Sequence, residues 1–180
     1  MEASKEEEYW NALSHFIGLI GSIVGVFFLF SYNNNLTYLS TLGIVLFGFG
    51  LISVYLSSTL YHYVSNPILK EKLRIFDHIS IYYLIAGSYA PVCLITLLNM
   101  SGLYIFAVVS FIALFGTFFK LFYTGRFEKL SLVLYLFMGW LVIVDIKTVY
   151  EVIEFNGFLL VVLGGVSYSI GTIFYSLDKK

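Results

Sequence analysis

The chain has 180 residues, 59% of them hydrophobic and 12% charged, with a net charge of −1 and a mean hydropathy of +0.90. A soluble domain carries about 25% charged residues, so a soluble globule is excluded. Asp, Glu, Lys and Arg are absent from Tyr9 to Leu69 and again from His78 to Phe119, runs far beyond the roughly 20 apolar residues that cross a bilayer. The expectation is an all-α, polytopic transmembrane helix bundle, one domain over residues 1–180 with a short N-terminal segment at 1–10.

The start, Lys5 followed by Glu6, Glu7 and Glu8, lacks the basic region of a secretory signal, so the first apolar segment is expected to be retained. Turn chemistry divides the chain into six predicted helices. The first runs from about Asn11 to Phe30 and stops at Ser31-Tyr32-Asn33-Asn34-Asn35. Within it Gly21 with Gly25, and Ser14 with Gly18 and Ser22, place small residues four apart, a spacing that lets helices approach closely in lipid. The second runs from about Thr37 to Val64 and ends at Asn66-Pro67. The third begins near Asp77 and reaches Leu98, with Pro91 removing one backbone bond and kinking it.

Asn99-Met100-Ser101-Gly102 turns the chain tightly into the fourth helix, which ends near Tyr123 before Gly125. The fifth, Leu130 to about Val144, is short enough to thin the bilayer or lean on its flanks. The sixth, Phe155 to Leu177, carries Gly164, Gly165 and Gly171 around Tyr168 for close packing. Cys93 is the single cysteine, which excludes an intrachain disulfide and any paired-cysteine metal spacing. No basic stripe marks a nucleic-acid partner.

Lys and Arg set orientation in the positive-inside rule, and acidic residues contribute little. With the N-terminus cytoplasmic, nine of the ten cations lie inside and only Lys147 lies outside. Both termini of an integral cell-membrane protein are therefore expected in the cytoplasm. The sequons Asn35-Leu36-Thr37 and Asn99-Met100-Ser101 then face outward, where they read as turn residues.

The costly residues gather at one end. His15 opens the first predicted helix, Ser58 and His62 lie in the last turns of the second, and Asp77 with His78 opens the third. Ionisable groups in or beside hydrocarbon point by default to a function or a partner. From Thr37 to His62 a helix rises about 37 Å against a core of about 30 Å, which allows His62 to sit at the interface. Tyr55, Ser58, His62 and Ser65 recur at three and four residues and share one helix face. Asp77, after a loop of about a dozen residues, can meet His62 across an antiparallel pair. A carboxylate beside an imidazole either orients a metal-bound water or satisfies a buried polar group.

Nearly the whole chain resembles the hemolysin III family, within the larger group of adiponectin and progestin membrane receptors. The resemblance rests on Glu8-x-x-Asn11-x-x-Ser14-His15-x-Ile17-Gly18, on Ser57-Ser58-Thr59-Leu60-Tyr61-His62, and on Leu73-Arg74-x-x-Asp77-His78 continuing through Ile81-Tyr82 to Tyr89-Ala90-Pro91. Met138-Gly139-Trp140 and Gly164-Gly165-x-x-Tyr168-Ser169-x-Gly171-x-x-x-Tyr175 complete it. It implies a seven-helix bundle, of which six helices are present here, with a zinc ion near the cytoplasmic side. By that resemblance His62 is a metal ligand beside two histidines four apart on a seventh helix, and Ser58 and Asp77 match the serine and the aspartate beside the zinc-bound water. This chain ends at Lys180 and contains no His-x-x-x-His, whereas catalytic zinc takes three protein ligands. His15 and His78 lie in the same layer as possible substitutes, with His78 about 100° around the helix from Asp77. Zinc is expected to be absent or weakly held.

Two activities follow from the resemblance. The first is cytolytic permeabilisation of membranes by a homo-oligomer, with membrane lipids as the other partner. The second is hydrolysis of a lipid amide or ester, with Asp77 and Ser58 catalytic, His62 on the metal, and catalysis by these 180 residues alone not expected. A shortened, inactive product is a third reading.

Overall fold

The computed structural model describes residues 4–178; Lys180 and the side chains of Tyr175 and Leu177 lie outside the described residues. Among those described, every regular element is helical and six segments are long and apolar enough to cross a membrane.

Helix α1 spans Lys5–Ser31, six residues earlier at its start than the predicted Asn11. The reason is a capping box: Ser4 Oγ accepts from the Glu7 N–H at 3.2 Å while Glu7 Oε2 accepts from the Ser4 N–H at 2.6 Å. Glu6, Glu7 and Glu8 in the first turn complement the helix dipole. His15 therefore stands about 15 Å inside α1 rather than at its opening.

Helix α2, Ser40–Tyr63, matches the second prediction within three residues, and Ser65 falls beyond its end. Helix α3, Pro67–Pro91, begins ten residues before the predicted start. Asn66-Pro67 does end α2, but the Asn66 side chain also accepts from the N–H groups of Ile68 (3.0 Å) and Leu69 (3.1 Å), and Pro67 occupies the first helical position. The expected dozen-residue loop is thus three residues, and Asp77 lies about 15 Å along α3.

Helices α2 and α3 share the longest interface, and glycine makes it possible. A Cβ on Gly50 would lie 2.5 Å from the Tyr83 carbonyl oxygen, and one on Gly87 would lie 2.7 Å from that of Leu46. The small residues singled out from spacing behave differently. Gly18 receives the Tyr55 ring and Gly165 the Trp140 ring, but Gly21, Gly25, Gly164 and Gly171 meet nothing within 4 Å among the described residues. Periodicity marks a small-residue face without saying which face finds a neighbour.

Pro91 does not end the helical course. The chain continues as one π-helical turn over Val92–Thr96, where the Leu94 carbonyl accepts from Thr37 Oγ1 at 2.8 Å. Helix α4 is Gly102–Tyr123 and α5 is Glu128–Gly139. The fifth span is not short: a 3-10 segment, Leu141–Asp145, and helix α6, Ile146–Val152, extend it to 25 residues. The break after Gly139 is sutured by Tyr89, whose hydroxyl lies 2.8 Å and 3.0 Å from the carbonyls of Met138 and Gly139 and accepts from the Val142 N–H at 3.0 Å. Tyr89→Phe is expected to cost about 1–3 kcal/mol by leaving those buried groups unsatisfied, measured by unfolding in a detergent titration; an unchanged midpoint would remove Tyr89 from this role. Helix α7, Phe155–Asp178, is the sixth span.

The core lies between α3, α4 and α5: Tyr82, Tyr89, Cys93, Val109, Ala113, Tyr135 and Met138 are buried there. The outer faces of α1 and α7 are largely exposed and apolar, with Phe27, Ile23, Leu160 and Phe174 on the surface, as lipid contact requires.

Candidate functional site

Helices α1, α2 and α3 bring the predicted residues together. Ser58, buried on α2, donates a hydrogen bond to Asp77 Oδ1 on α3. One turn further along α2, His62 Nδ1 lies 2.8 Å from Glu8 Oε2 on α1, and Lys70 Nζ reaches the same oxygen at 2.9 Å. A carboxylate can only accept, so His62 Nδ1 carries the hydrogen, and in the neutral ring Nε2 is left with the lone pair. The His15 ring stacks on that of His62 with centroids 5.7 Å apart and planes 7° from parallel, and Tyr55 lies against His15. Tyr55, Ser58 and His62 do share a face.

His78 turns to the other side of α3. Its Nδ1 lies 3.4 Å from Lys120 Nζ on α4 and 3.9 Å from Glu128 Oε1 on α5, while Lys120 Nζ lies 3.4 Å from Glu128 Oε2. Lys120 is only 1% exposed. The Tyr135 hydroxyl donates to the His78 carbonyl at 2.8 Å and ties α5 to α3.

An open cavity of about 810 Å³ joins the two clusters, with His62, Arg74, Asp77, His78 and Glu128 in its wall and Tyr168 and Thr172 of α7 also lining it. Spacing missed Glu8, Arg74, Lys120 and Glu128, which sit at the ends of uncharged runs and read there as flanking charges. The one signal for two of them lay in the motifs, where Glu8 precedes His15 by seven residues and Arg74 precedes Asp77 by three.

These residues do not compose a metal centre on their own. Among the described residues no three His, Cys, Asp or Glu side chains are grouped to hold an ion. His62 is suited to be one ligand, because Glu8 fixes its tautomer in the way carboxylates orient metal-bound histidines. His15 does not supply a second: parallel stacked rings lay their lone pairs in parallel sheets instead of converging on one point. Asp77 is an oxygen donor in the same cavity wall, and a third ligand is lacking among the described residues.

Comparison with known proteins decides the lineage. A sequence model described as "Haemolysin-III related" matches residues 3–179. The chain is 43% identical over 177 residues to "Hemolysin-3 homolog" of Bacillus subtilis (strain 168), covering 97% of this chain and 82% of that protein. The chain belongs to the hemolysin III family. Another family member, "Hemolysin-3" of Bacillus cereus, is 39% identical over 175 residues, with 97% of this chain and 80% of that one covered. A more distant relative, human "Monocyte to macrophage differentiation factor", is 27% identical over 143 residues, covering 74% of this chain and 57% of its own. No solved structure matches. This hemolysin III-family chain is thus a multi-pass membrane protein, with six helical spans among the described residues.

Proposed function

We propose that this hemolysin III-family protein hydrolyses a lipid amide or ester at the membrane end where Ser58, Asp77 and His62 meet. The observation that carries the reading is Asp77, held by Ser58 in the wall of a cavity large enough for a lipid headgroup region. Asp77 accepts a proton from water as the water oxygen bonds to the carbonyl carbon, and returns it to the amine or alkoxide that leaves. Ser58 donates its one hydroxyl hydrogen bond to Asp77 and keeps its proton, so in this arrangement it positions the carboxylate. His62, oriented by Glu8, presents Nε2; no step is routed through zinc, because the ligand set is incomplete. In proteoliposomes carrying a fluorescent lipid amide or ester, Asp77→Asn is expected to lower turnover by about 100-fold. Turnover that survives this substitution, or a wild-type protein without turnover, defeats the reading.

A second reading is membrane permeabilisation, supported by the names of the Bacillus relatives. Tyr82, Val109 and Met138 are fully buried and fill the α3–α4–α5 core, so a conducting path would run between several copies and not through that core. Dye release from liposomes should then rise more steeply than protein load and be indifferent to Asp77→Asn; vesicles that stay sealed at high load count against it. Both readings place the termini in the cytoplasm, from the distribution of Lys and Arg, which a C-terminal fluorescent or phosphatase reporter tests directly.

A further inference from the structure

Arg74 is the cation that the acid–base cluster does not use. It stands on α3 three residues before Asp77 and lines the same cavity. Its Nε is buried without a hydrogen-bond partner, and no ion pair holds its guanidinium among the described residues. The two carboxylates in the cavity wall have companions: Glu128 with Lys120, and Asp77 with the Ser58 hydroxyl. A buried guanidinium nitrogen without an acceptor is costly, and such a group facing a cavity is a place for an acceptor brought by a ligand.

The turn between α4 and α5 packs closely on that guanidinium, and only glycine leaves it room. Gly125, between α4 and α5, has φ +81°, and a Cβ there would lie 2.7 Å from Arg74 Nη2. Ile81 and Leu132 supply an apolar wall, and Thr172 a hydroxyl. The cavity, about 810 Å³, is far larger than a phosphate ion and has room for a glycerol unit with the first carbons of acyl chains.

We propose that Arg74 binds a phosphoryl oxyanion in this cavity, the headgroup phosphate of a membrane lipid. The planar guanidinium matches two phosphoryl oxygens at once, and basic pockets between transmembrane helices bind lipid headgroups. Glu128 and Asp77 also line the cavity, and their repulsion of an anion is offset by Lys120 and by the Ser58 proton respectively. Binding here does not require hydrolysis, so it stands or falls apart from the activity proposed above.

The test uses the full chain, delipidated in mild detergent, with native mass spectrometry of added lipid. Phosphatidic acid is expected to bind at least tenfold more tightly than diacylglycerol with the same acyl chains. Arg74→Gln should abolish that preference, Arg74→Lys should retain part of it by keeping charge without the fork, and Lys72→Gln, an exposed position on the same helix, should leave it intact. Inorganic phosphate that displaces the lipid shows that the free ion shares the site; failure to displace shows that the acyl chains are needed, and either result keeps the oxyanion site. A phosphatidic acid preference that persists in Arg74→Gln, or equal binding of diacylglycerol by the wild type, overturns it. Should Arg74→Gln fail to elute as a monodisperse protein, Arg74→Lys against Lys72→Gln decides: equal preference in those two overturns the proposal.

Discussion

Gly50→Ala is expected to destabilise the protein by about 2–3 kcal/mol, although alanine is the better helix former. The added Cβ would lie 2.5 Å from the Tyr83 carbonyl oxygen and 2.9 Å from the Leu84 Cα. Both obstacles are backbone, so no rotamer change relieves them, and α2 must move away from α3 along the interface that carries Ser58 and Asp77. Gly21→Ala is the matched control. Its Cβ meets nothing within 4 Å, so the substitution should gain about 0.5–1 kcal/mol from helix propensity alone. Unfolding midpoints in a denaturing-detergent titration compare the two. Equal shifts of the same sign would show that close α2–α3 contact does not carry the stability assigned to it.

Glu128→Ala is expected to cost about 2 kcal/mol, because it removes a carboxylate beside Lys120, an ammonium that is 1% exposed. Breaking a fully buried pair typically costs about 3–5 kcal/mol; Glu128 retains 28% side-chain exposure, which lowers the figure. Lys120→Met in the Glu128→Ala background should restore most of the loss, since replacing both charges by apolar groups is often neutral. A double-mutant cycle reads the coupling. Additive losses would mean that the two side chains do not act as a pair.

The spans were legible because hydrocarbon imposes a local rule: long uncharged runs must be helical, and polar turn residues separate them. Boundaries were less so. Asn66-Pro67 is at once a stop for α2 and a cap for α3, and sequence pattern does not separate a loop from a helix whose first turns carry Lys70, Lys72 and Arg74. The fifth span was expected to end near Val144 but continues to Val152, across a break after Gly139 that is sutured by the Tyr89 hydroxyl, fifty residues away.

The site divides in the same manner. Ser58 and His62 were readable from spacing on one helix face, and Asp77 with them from motif resemblance. Glu8, Lys120 and Glu128 were not, since each takes its meaning from a partner on another helix: Glu8 from His62 and Lys70, Lys120 from His78 and Glu128. Arg74 lies in the motif that carries Asp77, yet only the tertiary structure shows that it lines a cavity with its buried Nε unpartnered.

By itself the amino-acid order determined a membrane-spanning, all-helical hemolysin III-family chain with its imidazoles and a carboxylate at one end, because lipid tests every residue locally for polarity. Tertiary structure alone decided which glycines bring backbones together, which charges pair, and where a cavity opens. Those outcomes depend on contacts between helix faces distant in sequence, and helical periodicity labels a face without naming its neighbour.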